Sequence, residues 1–483
     1  MEDLDLVIRC NRMLDWQIQH DRRYDLYYEG RQPLALLPES VRRDCGDRLP
    51  EVRIGFARLI IDALEERIDL AGFKVNDDRT SSELWEIFQR SDGDEVSQMA
   101  HLEALIHGRA YVMVWAGRDG YPKISCESSR HAIVFQMPGV SHRIAGLKRW
   151  IDADGYAYCT LFTPTTVTRW RSPNKISLDP YLNPATVGNP GYPFDSYTFY
   201  DWSQLPASGW ELRAEPMVNP LGCVPMIPLV NRPRLLNPIG KSELDAAIPI
   251  IDAIDLLTTD LLITAEYSAM PRRWATGIEV RTKVNPDTGQ EEVIDPFSRM
   301  KGKVWQAESP DTAFGQFPEA SLTNYGEAIL NLTQSLGAIA GLPAHYLGIS
   351  REPASADAIR SSEAPLVRKA QRKCRQFGGA WEEVMRIADV ILHGQRRKPL
   401  ELMEAVWSDA ETRTVAQSAD AAGKLAQIGI PLPQIAEDLG YSPQEIQQIP
   451  AKEVLAGAPT NGAGPPDAPE TQREIRRDND AAR

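Results

Sequence analysis

The sequence predicts an α+β fold, because strand-type and helix-type patterns occupy different stretches of the 483-residue chain. Between residues 110 and 230, short runs of β-branched and aromatic residues are separated by polar turns, a pattern typical of strands. From residue 248 to residue 393, apolar residues recur at spacings of three and four, which indicates long helices. A chain of this length is expected to form roughly two to four structural units around a sizeable core.

The N-terminal half is predicted to begin with helices and to continue as strands. Helices are predicted over residues 4–28, 51–68, 81–89 and 94–107. Strands are predicted over residues 110–115, 124–127, 132–136, 148–152, 157–162 and 166–170. Residues 181–200 are rich in proline, glycine and asparagine, so we expect a long surface loop there.

A long helix is predicted over residues 248–268. Its apolar stripe consists of Ile250, Ile254, Leu257, Leu261 and Thr264. At ~1.5 Å per residue this helix would be ~30 Å long. The carboxylates of Asp252, Asp255, Asp260 and Glu266 argue against a membrane span, since each costs about 3 kcal/mol near a bilayer centre.

A second helix is predicted over residues 322–340, ending at Gly341 and Pro343. The insert between the two helices, residues 270–320, is predicted to contain strands over 274–282 and 303–307. The run Asn285-Pro286-Asp287-Thr288-Gly289 is typical of a turn. The sequence therefore predicts a small strand-containing excursion between two long helices.

A third helix is predicted over residues 364–393. Cations crowd its first half, at Arg368, Lys369, Arg372, Lys373 and Arg375, and they form either a functional or simply a solvated face. The pair Gly378-Gly379 predicts a kink. Residues 348–362, which precede this helix, are predicted to form a loop of small residues. Further on, prolines separate short helices over residues 408–455, and residues 457–483 have the composition of a disordered tail.

Composition is ordinary for a globular protein, with 42% hydrophobic and 25% charged residues and a net charge of −14. The start of the chain is acidic and no apolar segment follows it, so we expect no signal peptide. Cysteines without CxxC or CxxH spacing are expected to be free thiols in a reducing cytoplasm. They are Cys10, Cys45, Cys126, Cys159, Cys223 and Cys374.

Patterns that could suggest an enzyme are weak. Gly240-Lys241-Ser242 resembles the end of a phosphate-binding loop, but Leu235 stands where the leading glycine belongs. We therefore expect Ser242 to cap a helix that begins at Glu243. The carboxylates near residue 252 lack the histidine or lysine partners of a two-metal nuclease. His101 and His107 lie six residues apart and are expected to pack rather than bind metal. We expect no catalytic residue, no metal and no cofactor.

Several local sequences, taken in order along the chain, resemble one protein family. They are YYEGRQPL at 27–34, RLIIDALEERI at 58–68, GKSELDAAIPIIDAID at 240–255, PRRWATGIE at 271–279, SADAIRSSEAPLVRK at 355–369 and FGGAWEEVMRIA at 377–388. The family is the portal proteins of tailed bacteriophages, in particular the branch found in phages of actinobacteria. The resemblance covers about residues 1–450.

The resemblance implies a portal fold with named parts. These are a mixed α/β wing at 1–245, stem helices at 246–270 and 321–347, a small α/β clip at 271–320, a tunnel loop at 348–362, a long kinked helix of the wing at 363–398, a helical crown at 399–455 and a disordered tail at 456–483. It also implies a homo-oligomeric ring, usually a dodecamer, in the virion at one capsid vertex, after assembly in the host cytoplasm. Double-stranded DNA passes through such a ring during genome packaging and ejection.

The resemblance implies partners and site residues as well. The expected partners are terminase, the major capsid protein, scaffold and a head–tail adaptor, with no membrane. The candidates for facing DNA or the channel are Arg351, Ser355, Arg360, Asp252, Asp255 and Glu266. The candidates for binding partners at the clip are Arg272, Arg273, Arg281 and Lys283. The alternative is a DNA-packaging enzyme such as a terminase nuclease, although an ATP-driven one would need the phosphate-binding loop that is missing.

The acidic net charge fits a channel through which DNA slides, because carboxylates on the wall repel phosphates, whereas proteins that grip DNA are usually basic. An acidic balance that gives only solubility is the other interpretation. In the tunnel loop, Arg351 and Arg360 are expected either to contact phosphates or to form salt bridges to a neighbouring subunit.

Overall fold

The computed structural model describes residues 3–33, 52–75, 81–137, 142–152, 154–176, 209–235, 237–269, 273–276, 282–284, 291–293, 311–316, 321–349, 355–411 and 415–439. The chain divides into two units, Met1–Thr412 and Arg413–Arg483. The predicted loop at 181–200, strand at 303–307, turn at 285–289 and tail at 456–483 lie outside the described residues.

The described helices agree with the predicted ones in place, and their ends differ by a few residues except at the start of α7, which was predicted at residue 364. They are α1 Asp3–Tyr28, α2 Phe56–Glu65, α3 Ser82–Gln89, α4 Gly93–His107, α5 Ile248–Ala269, α6 Thr323–Ala340, α7 Ala356–His393, α8 Val415–Gln427 and α9 Leu432–Asp438. No described helix is long and apolar enough to cross a membrane. Among the described residues, Cys10, Cys126, Cys159, Cys223 and Cys374 are free thiols.

The strands form separate antiparallel sheets. They are β1 Leu70–Val75, β2 Arg109–Ala116, β3 Pro122–Ser128, β4 Ala132–Gln136, β5 Arg143–Ile151, β6 Tyr156–Phe162, β7 Thr166–Lys175, β8 Glu211–Leu212, β9 Met217–Val218, β10 Met226–Val230, β11 Arg273–Thr276, β12 Thr282–Val284, β13 Glu291–Val293, β14 Ala313–Gln316 and β15 Met403–Trp407. The largest sheet has the order β4-β5-β6-β7-β8, with β9 also paired to β7, and a second has the order β10-β2-β3.

Helix α1 packs on one face of the largest sheet. Because side chains alternate across a strand, every second residue of β5 and β6 points toward this helix. Leu147, Cys159 and Leu161 are buried there against Val7 and Leu14 of α1. On the opposite face, Phe162 and Val167 pack with Tyr111 and Met226 of the second sheet.

The second core of the larger unit surrounds α7. Trp381 and Phe377 of this helix are fully buried, and the Trp381 ring meets Phe88 edge-on with ring centroids 5.9 Å apart. The same core takes up Ile254 from α5 and Leu336 from α6. Burial of such large side chains stabilises the fold by roughly 1.5–3 kcal/mol each, so the bases of both long helices are anchored to α7.

The structure corrects the predicted tunnel loop and crown. Helix α7 begins at Ala356, so residues 356–362 are helical rather than part of a loop. Ser355 caps this start, because its Oγ accepts a hydrogen bond of 3.2 Å from the Ala358 N–H. Residues 399–407 are not α-helical. Lys398–Leu402 is a 3-10 helix, and β15 pairs antiparallel with β1, as suits its Val406 and Trp407, which are residue types that favour strands.

The pair Gly378-Gly379 lies within the continuous helix α7, and the kink there stays a prediction. A Cβ added at Gly378 would lie 3.6 Å from Trp407 Nε1 and 3.8 Å from Ala405 Cβ, so this glycine lies against β15. The smaller unit contains α8 and α9, separated by a turn in which Gly429 has a φ of +90°.

Candidate functional site

Short antiparallel strand pairs lie between the two long helices α5 and α6. Strand β11 follows α5, β14 precedes α6, and the two strands pair antiparallel from Arg273↔Gln316 to Thr276↔Ala313. Within the excursion, β12 and β13 pair from Thr282↔Val293 to Val284↔Glu291. The expected helix–strands–helix arrangement is therefore present, with more strands than the sequence predicted.

A turn before α5 holds a polar cluster centred on Glu243. Residues 243–247 form turns and the helix begins at Ile248, so the prediction that Ser242 caps a helix beginning at Glu243 is wrong. The Ser242 Oγ instead accepts a hydrogen bond from the Leu244 N–H. Glu243 N–H donates to the Leu105 carbonyl over 3.0 Å, which fixes this turn to α4.

Close backbone approach brings this turn into place. Gly240 has a φ of +93°, and a Cβ there would lie 2.3 Å from the Gly108 carbonyl oxygen. Glycine fits this position because it adopts the left-handed conformation without strain and has no Cβ that would clash with the Gly108 carbonyl. The chain around residue 240 therefore lies directly against the start of β2.

Three cations surround the Glu243 carboxylate, which is fully buried. Lys369 Nζ lies 2.8 Å and Lys373 Nζ 2.7 Å from its oxygens, and both lysines belong to α7. Arg232 donates from Nε and Nη2 over 2.7 and 2.6 Å. Asn231 donates to the same carboxylate over 3.1 Å. We call these five residues the Glu243 cluster.

The charges of the cluster determine its protonation. Burial alone would raise the pKa of Glu243, but the positive charges of Lys369, Lys373 and Arg232 outweigh burial and lower it. Burial lowers the pKa of Lys373 to about 8, although Glu243 opposes this shift. At neutral pH the cluster therefore holds an ionised carboxylate among charged cations.

The Glu243 cluster also reaches the end of α6. Lys369 Nζ donates 2.9 Å to the carbonyl oxygen of Ala340, the last residue of that helix. A cation at this position satisfies a terminal carbonyl and favours the negative end of the helix dipole. Gly341 follows with a φ of +75°, as the predicted helix stop requires. One lysine thus connects the base of α5, the end of α6 and α7.

A second ion pair flanks the segment between α6 and α7. Arg67 Nη2 lies 3.1 Å from a carboxylate oxygen of Glu363, in the first third of α7. The same guanidinium donates to the Tyr346 hydroxyl and to the Ala410 carbonyl, over 3.2 and 2.8 Å. His345 Nε2 lies 3.4 Å from the other Glu363 oxygen. Both sides of residues 350–354 are therefore tied to the larger unit.

The structure separates the predicted tunnel-loop residues. Arg351 lies outside the described residues, Ser355 is the helix cap, and Arg360 lies half-buried on α7. The basic run farther along α7 divides between two environments. Lys369 and Lys373 enter the Glu243 cluster, whereas Arg368, Arg372 and Arg375 are exposed.

The predicted acidic side of α5 is only partly exposed. Asp255 is buried and accepts hydrogen bonds from Gln32 Nε2 and the Ile54 N–H, over 2.8 and 3.1 Å. Burial raises its pKa. The prediction that Asp255 faces a channel is therefore wrong, because the segment around residues 32 and 54 covers it. Asp252 is exposed and accepts a hydrogen bond from the Tyr27 hydroxyl, and Glu266 is half-buried.

The predicted clip residues are described only in part. Arg272 and Arg281 lie outside the described residues. Arg273 lies on β11 opposite Gln316, and Lys283 lies on β12 opposite Glu292.

The histidines of α4 lie in the interior. His101 stacks on Phe377, accepts a hydrogen bond of 2.9 Å from Trp381 Nε1, and has its pKa lowered to about 3 by burial. Burial also disfavours the charged form of His107, but Glu103 and Asp25 raise its pKa to about 10. Their oxygens lie 3.0 and 2.6 Å from its ring nitrogens.

One group of described side chains has metal-ligand spacing, namely Glu83, Asp389 and His393. Arg397 already lies between the two carboxylates, with Nη2 2.9 Å from Glu83 and Nε 3.0 Å from Asp389. A metal ion would have to displace this guanidinium, so the chemistry of the group is that of an ion-pair network. Asp252 and Asp255 belong to no such group within the part of the chain that is described.

Sequence reasoning missed Glu243. A usable signal was present, because Lys369 and Lys373 lie one helical turn apart beside the apolar stripe of α7, where a lysine needs a buried partner. The sequence could not name that partner, which is more than a hundred residues away along the chain.

Comparisons with known proteins identify the family. The family model "Phage portal protein, SPP1 Gp6-like" matches residues 15–438. The portal protein of Mycobacterium phage D29 is 30% identical over 451 residues, covering 90% of this chain and 85% of that protein. The portal protein of Mycobacterium phage L5 is 29% identical over 444 residues, covering 88% and 82%. The chain belongs to the phage portal protein family, whose members are structural proteins.

Two solved structures are similar at low scores. A chain in the virion of a native gene transfer agent particle matches with a TM-score of 0.43 and 11% identity, covering 81% of this chain and 88% of its own. A chain in the neck of the native particle, with C12 symmetry, matches with a TM-score of 0.42 and 12% identity, covering 84% and 93%. Scores of this size support no further conclusion about this chain.

Proposed function

We propose that copies of this portal protein form a closed ring, a dodecamer, at one capsid vertex of the virion, after assembly in the host cytoplasm. Double-stranded DNA would pass through the axis during packaging and ejection. Family membership supports the general role, and the exposed apolar residues of the long helices carry the proposal of a ring. Leu256 on α5 is 44% exposed, and Leu330 and Ile339 on α6 are 39% and 50% exposed.

These side chains fit lateral contacts between subunits. Their helices are anchored at the base by Ile254 and Leu336, yet they keep large apolar side chains in contact with water. A neighbouring copy that covers them would form a head-to-tail interface, and such interfaces produce rings when the rotation closes. We therefore assign α5 and α6 as stem helices, and residues 271–320 as the clip.

We propose that arginines contact the DNA phosphates, whereas carboxylates elsewhere in the channel repel them. Arg351 and Arg360 are the proposed phosphate contacts, and the exposed Arg368 and Arg372 of α7 would extend them. Ser355 caps the beginning of α7 with its Oγ as the acceptor, which leaves its hydroxyl hydrogen able to donate to a phosphate. Asp252 and Glu266 remain the proposed contributors of negative potential along the channel, where they would keep DNA from adhering.

At the clip we propose docking of terminase and of a head–tail adaptor, with Arg272, Arg273, Arg281 and Lys283 as the contacting cations. The paired strands β11 and β14 support this, because short sheets with open edges accept further strands from partners. The major capsid protein and scaffold would meet other parts of the ring.

The experiment is to purify the full chain and measure its mass in solution, together with negative-stain images. We expect closed rings, and the double substitution Arg351→Ala/Arg360→Ala should leave the rings intact while altering DNA packaging or retention. Monomers and dimers alone at high concentration would contradict the ring. Normal packaging and retention in the double variant would contradict the DNA contacts.

A further inference from the structure

The outer face of the largest sheet, opposite α1, forms a groove with unusual chemistry. A cavity of about 860 Å³ lies between this face and β2. Aromatic side chains form much of its wall. Trp150 stacks on Tyr158 with ring centroids 5.8 Å apart, and Trp115 lies 5.7 Å from Phe162.

A row of polar and cationic residues crosses the groove. Lys148 of β5 pairs with Thr160 of β6, which pairs with Arg169 of β7. The Arg213 N–H donates 2.9 Å to the Arg169 carbonyl, which extends the row to a fourth segment. Lys148, Arg169 and Arg213 all line the cavity, and no carboxylate does so among the described residues.

The cations of this row differ in whether a nearby carboxylate neutralises them. Lys148 forms an ion pair with Glu127. Neither Arg169 nor Arg213 forms an ion pair with another residue in the described part of the chain. Elsewhere in the same unit, arginines near strands are paired, as Arg109 is with Asp21 and Arg149 with Asp15. The whole chain has a net charge of −14, so this cationic groove is opposite in sign to the protein as a whole.

Apolar side chains border the cations of the groove. Met217 of β9, which lines the cavity beside Val167, is 43% exposed. Together with the aromatic wall, it favours a ligand with both carboxylates and apolar side chains, because exposed aromatic and methionine side chains are enriched at protein interfaces.

We propose that this groove docks an acidic peptide segment of a partner protein, with carboxylates on Arg169 and Arg213 and an aromatic or aliphatic side chain on the Trp150–Tyr158 wall. Guanidinium groups bind carboxylates through charge-assisted, often bidentate hydrogen bonds. Aromatic walls take up apolar side chains and contribute area at low entropy cost.

Single-stranded nucleic acid is the less favoured occupant. Such ligands need a basic track that follows the backbone for several nucleotides together with stacking platforms. Here the cations without a described ion pair are confined to Arg169 and Arg213, and the neighbouring wall is aromatic. A groove of this size suits a few side chains of a peptide better than a long phosphate backbone.

The test measures fluorescence anisotropy of a fluorescein-labelled octapeptide that alternates acidic residues with phenylalanine and leucine. Comparison probes are the same peptide with serine at the apolar positions, the same peptide with lysine at the acidic positions, and a labelled oligothymidylate. The variant is Arg169→Gln/Arg213→Gln. The matched control is Arg9→Gln/Arg118→Gln, which removes the same charge from exposed positions outside the groove.

We expect saturable binding of the acidic apolar peptide, with about tenfold or greater loss of affinity in Arg169→Gln/Arg213→Gln and less than about twofold change in the control. The serine and lysine peptides should bind at least about tenfold more weakly. If the double variant does not fold, as judged by its thermal melt, the single variant Arg213→Gln takes its place. The proposal is overturned by an absence of saturable binding up to about 1 mM, by equal loss in the control, or by tighter binding of the oligothymidylate.

Discussion

The Glu243 cluster and the exposed side of the long helices α5 and α6 differ in whether contacts within one chain satisfy their side chains. Around Glu243, a buried carboxylate meets Lys369, Lys373 and Arg232, and all these contacts lie within one chain. Farther along the long helices, Leu256 and Leu330 remain in contact with water. The first region is complete in a single subunit, whereas the second is not.

This difference separates folding from assembly. A buried ion cluster contributes to the stability of each subunit, because removing one member leaves the other charges without a partner. Exposed apolar side chains contribute almost nothing to the isolated subunit but gain burial when a neighbour covers them. Substitutions in the two regions should therefore change different measurements.

The largest effect is expected at Glu243. Glu243→Gln keeps the shape but leaves buried cations uncompensated, so the free energy of unfolding should fall by about 3–5 kcal/mol. Urea unfolding of the purified protein, followed by tryptophan fluorescence, measures this loss. Glu401→Gln, at an exposed position, is the matched control and should change stability by less than about 0.5 kcal/mol.

A second substitution sharpens the test. In Glu243→Gln/Lys373→Met one of the uncompensated cations is gone, so part of the lost stability should return. Equal stability of Glu243→Gln and the unchanged protein would show that water or rearrangement compensates the cations. The cluster would then not be what fixes α5 and α6 to α7.

The next largest effect is expected at His107 and depends on pH. The folded protein raises the His107 pKa to about 10, whereas the unfolded value is about 6.5. A raised pKa stabilises the folded state fully below the unfolded value, and this contribution is lost as the pH rises through 10. His107→Gln should therefore lower the free energy of unfolding by on the order of 3–5 kcal/mol at pH ~6 and by progressively less toward pH ~10.

Urea unfolding of both proteins across this pH range checks the prediction, with the exposed His142→Gln as control. A constant difference at every pH would mean that packing of the ring, rather than its charge beside Glu103 and Asp25, accounts for the effect.

A smaller effect per subunit contact is expected in the stem. Leu330→Asn/Ile339→Asn should leave the unfolding of the isolated subunit nearly unchanged while weakening each contact between subunits by roughly 2 kcal/mol. Analytical ultracentrifugation over a range of concentrations measures the shift toward monomers. Leu402→Asn is the control, because Leu402 is 73% exposed and lies outside the stem. Equal shifts in both variants would remove the stem from the proposed interface.

The sequence predicted the long helices well because the apolar residues of each helix recur at the helical spacing of three and four residues. The prediction of 248–268 for α5 and 322–340 for α6 agrees with Ile248–Ala269 and Thr323–Ala340. Contacts between segments that are far apart in the sequence could not be predicted. The helical period places Asp255 on a different side from the apolar stripe, but no period shows that Gln32 and Ile54 cover that side.

The same limit explains the errors in β15 and the start of α7. Strand β15 has five residues and pairs with β1, more than three hundred residues earlier, so no local pattern links them. At the other position, the small residues and serines of 355–362 suggested a loop. Ser355 instead acts as a helix cap, and capping residues belong to the same residue types that favour loops.

The smallest effect is expected at that cap. Ser355→Ala removes the acceptor for the Ala358 N–H and should cost about 1 kcal/mol, confined to the first turn of α7. Global unfolding should hardly change, because Arg67–Glu363 and the Glu243 cluster hold the helix farther along. Hydrogen exchange of residues 356–362 should accelerate about fivefold, while exchange beyond Leu366 stays unchanged.

Ser361→Ala, one turn into the helix and exposed, is the control and should leave the exchange rates unchanged. Faster exchange that extends to Phe377 would mean that the whole helix depends on its cap, and that the two ion pairs do not isolate the first turns of α7 from the rest of the helix.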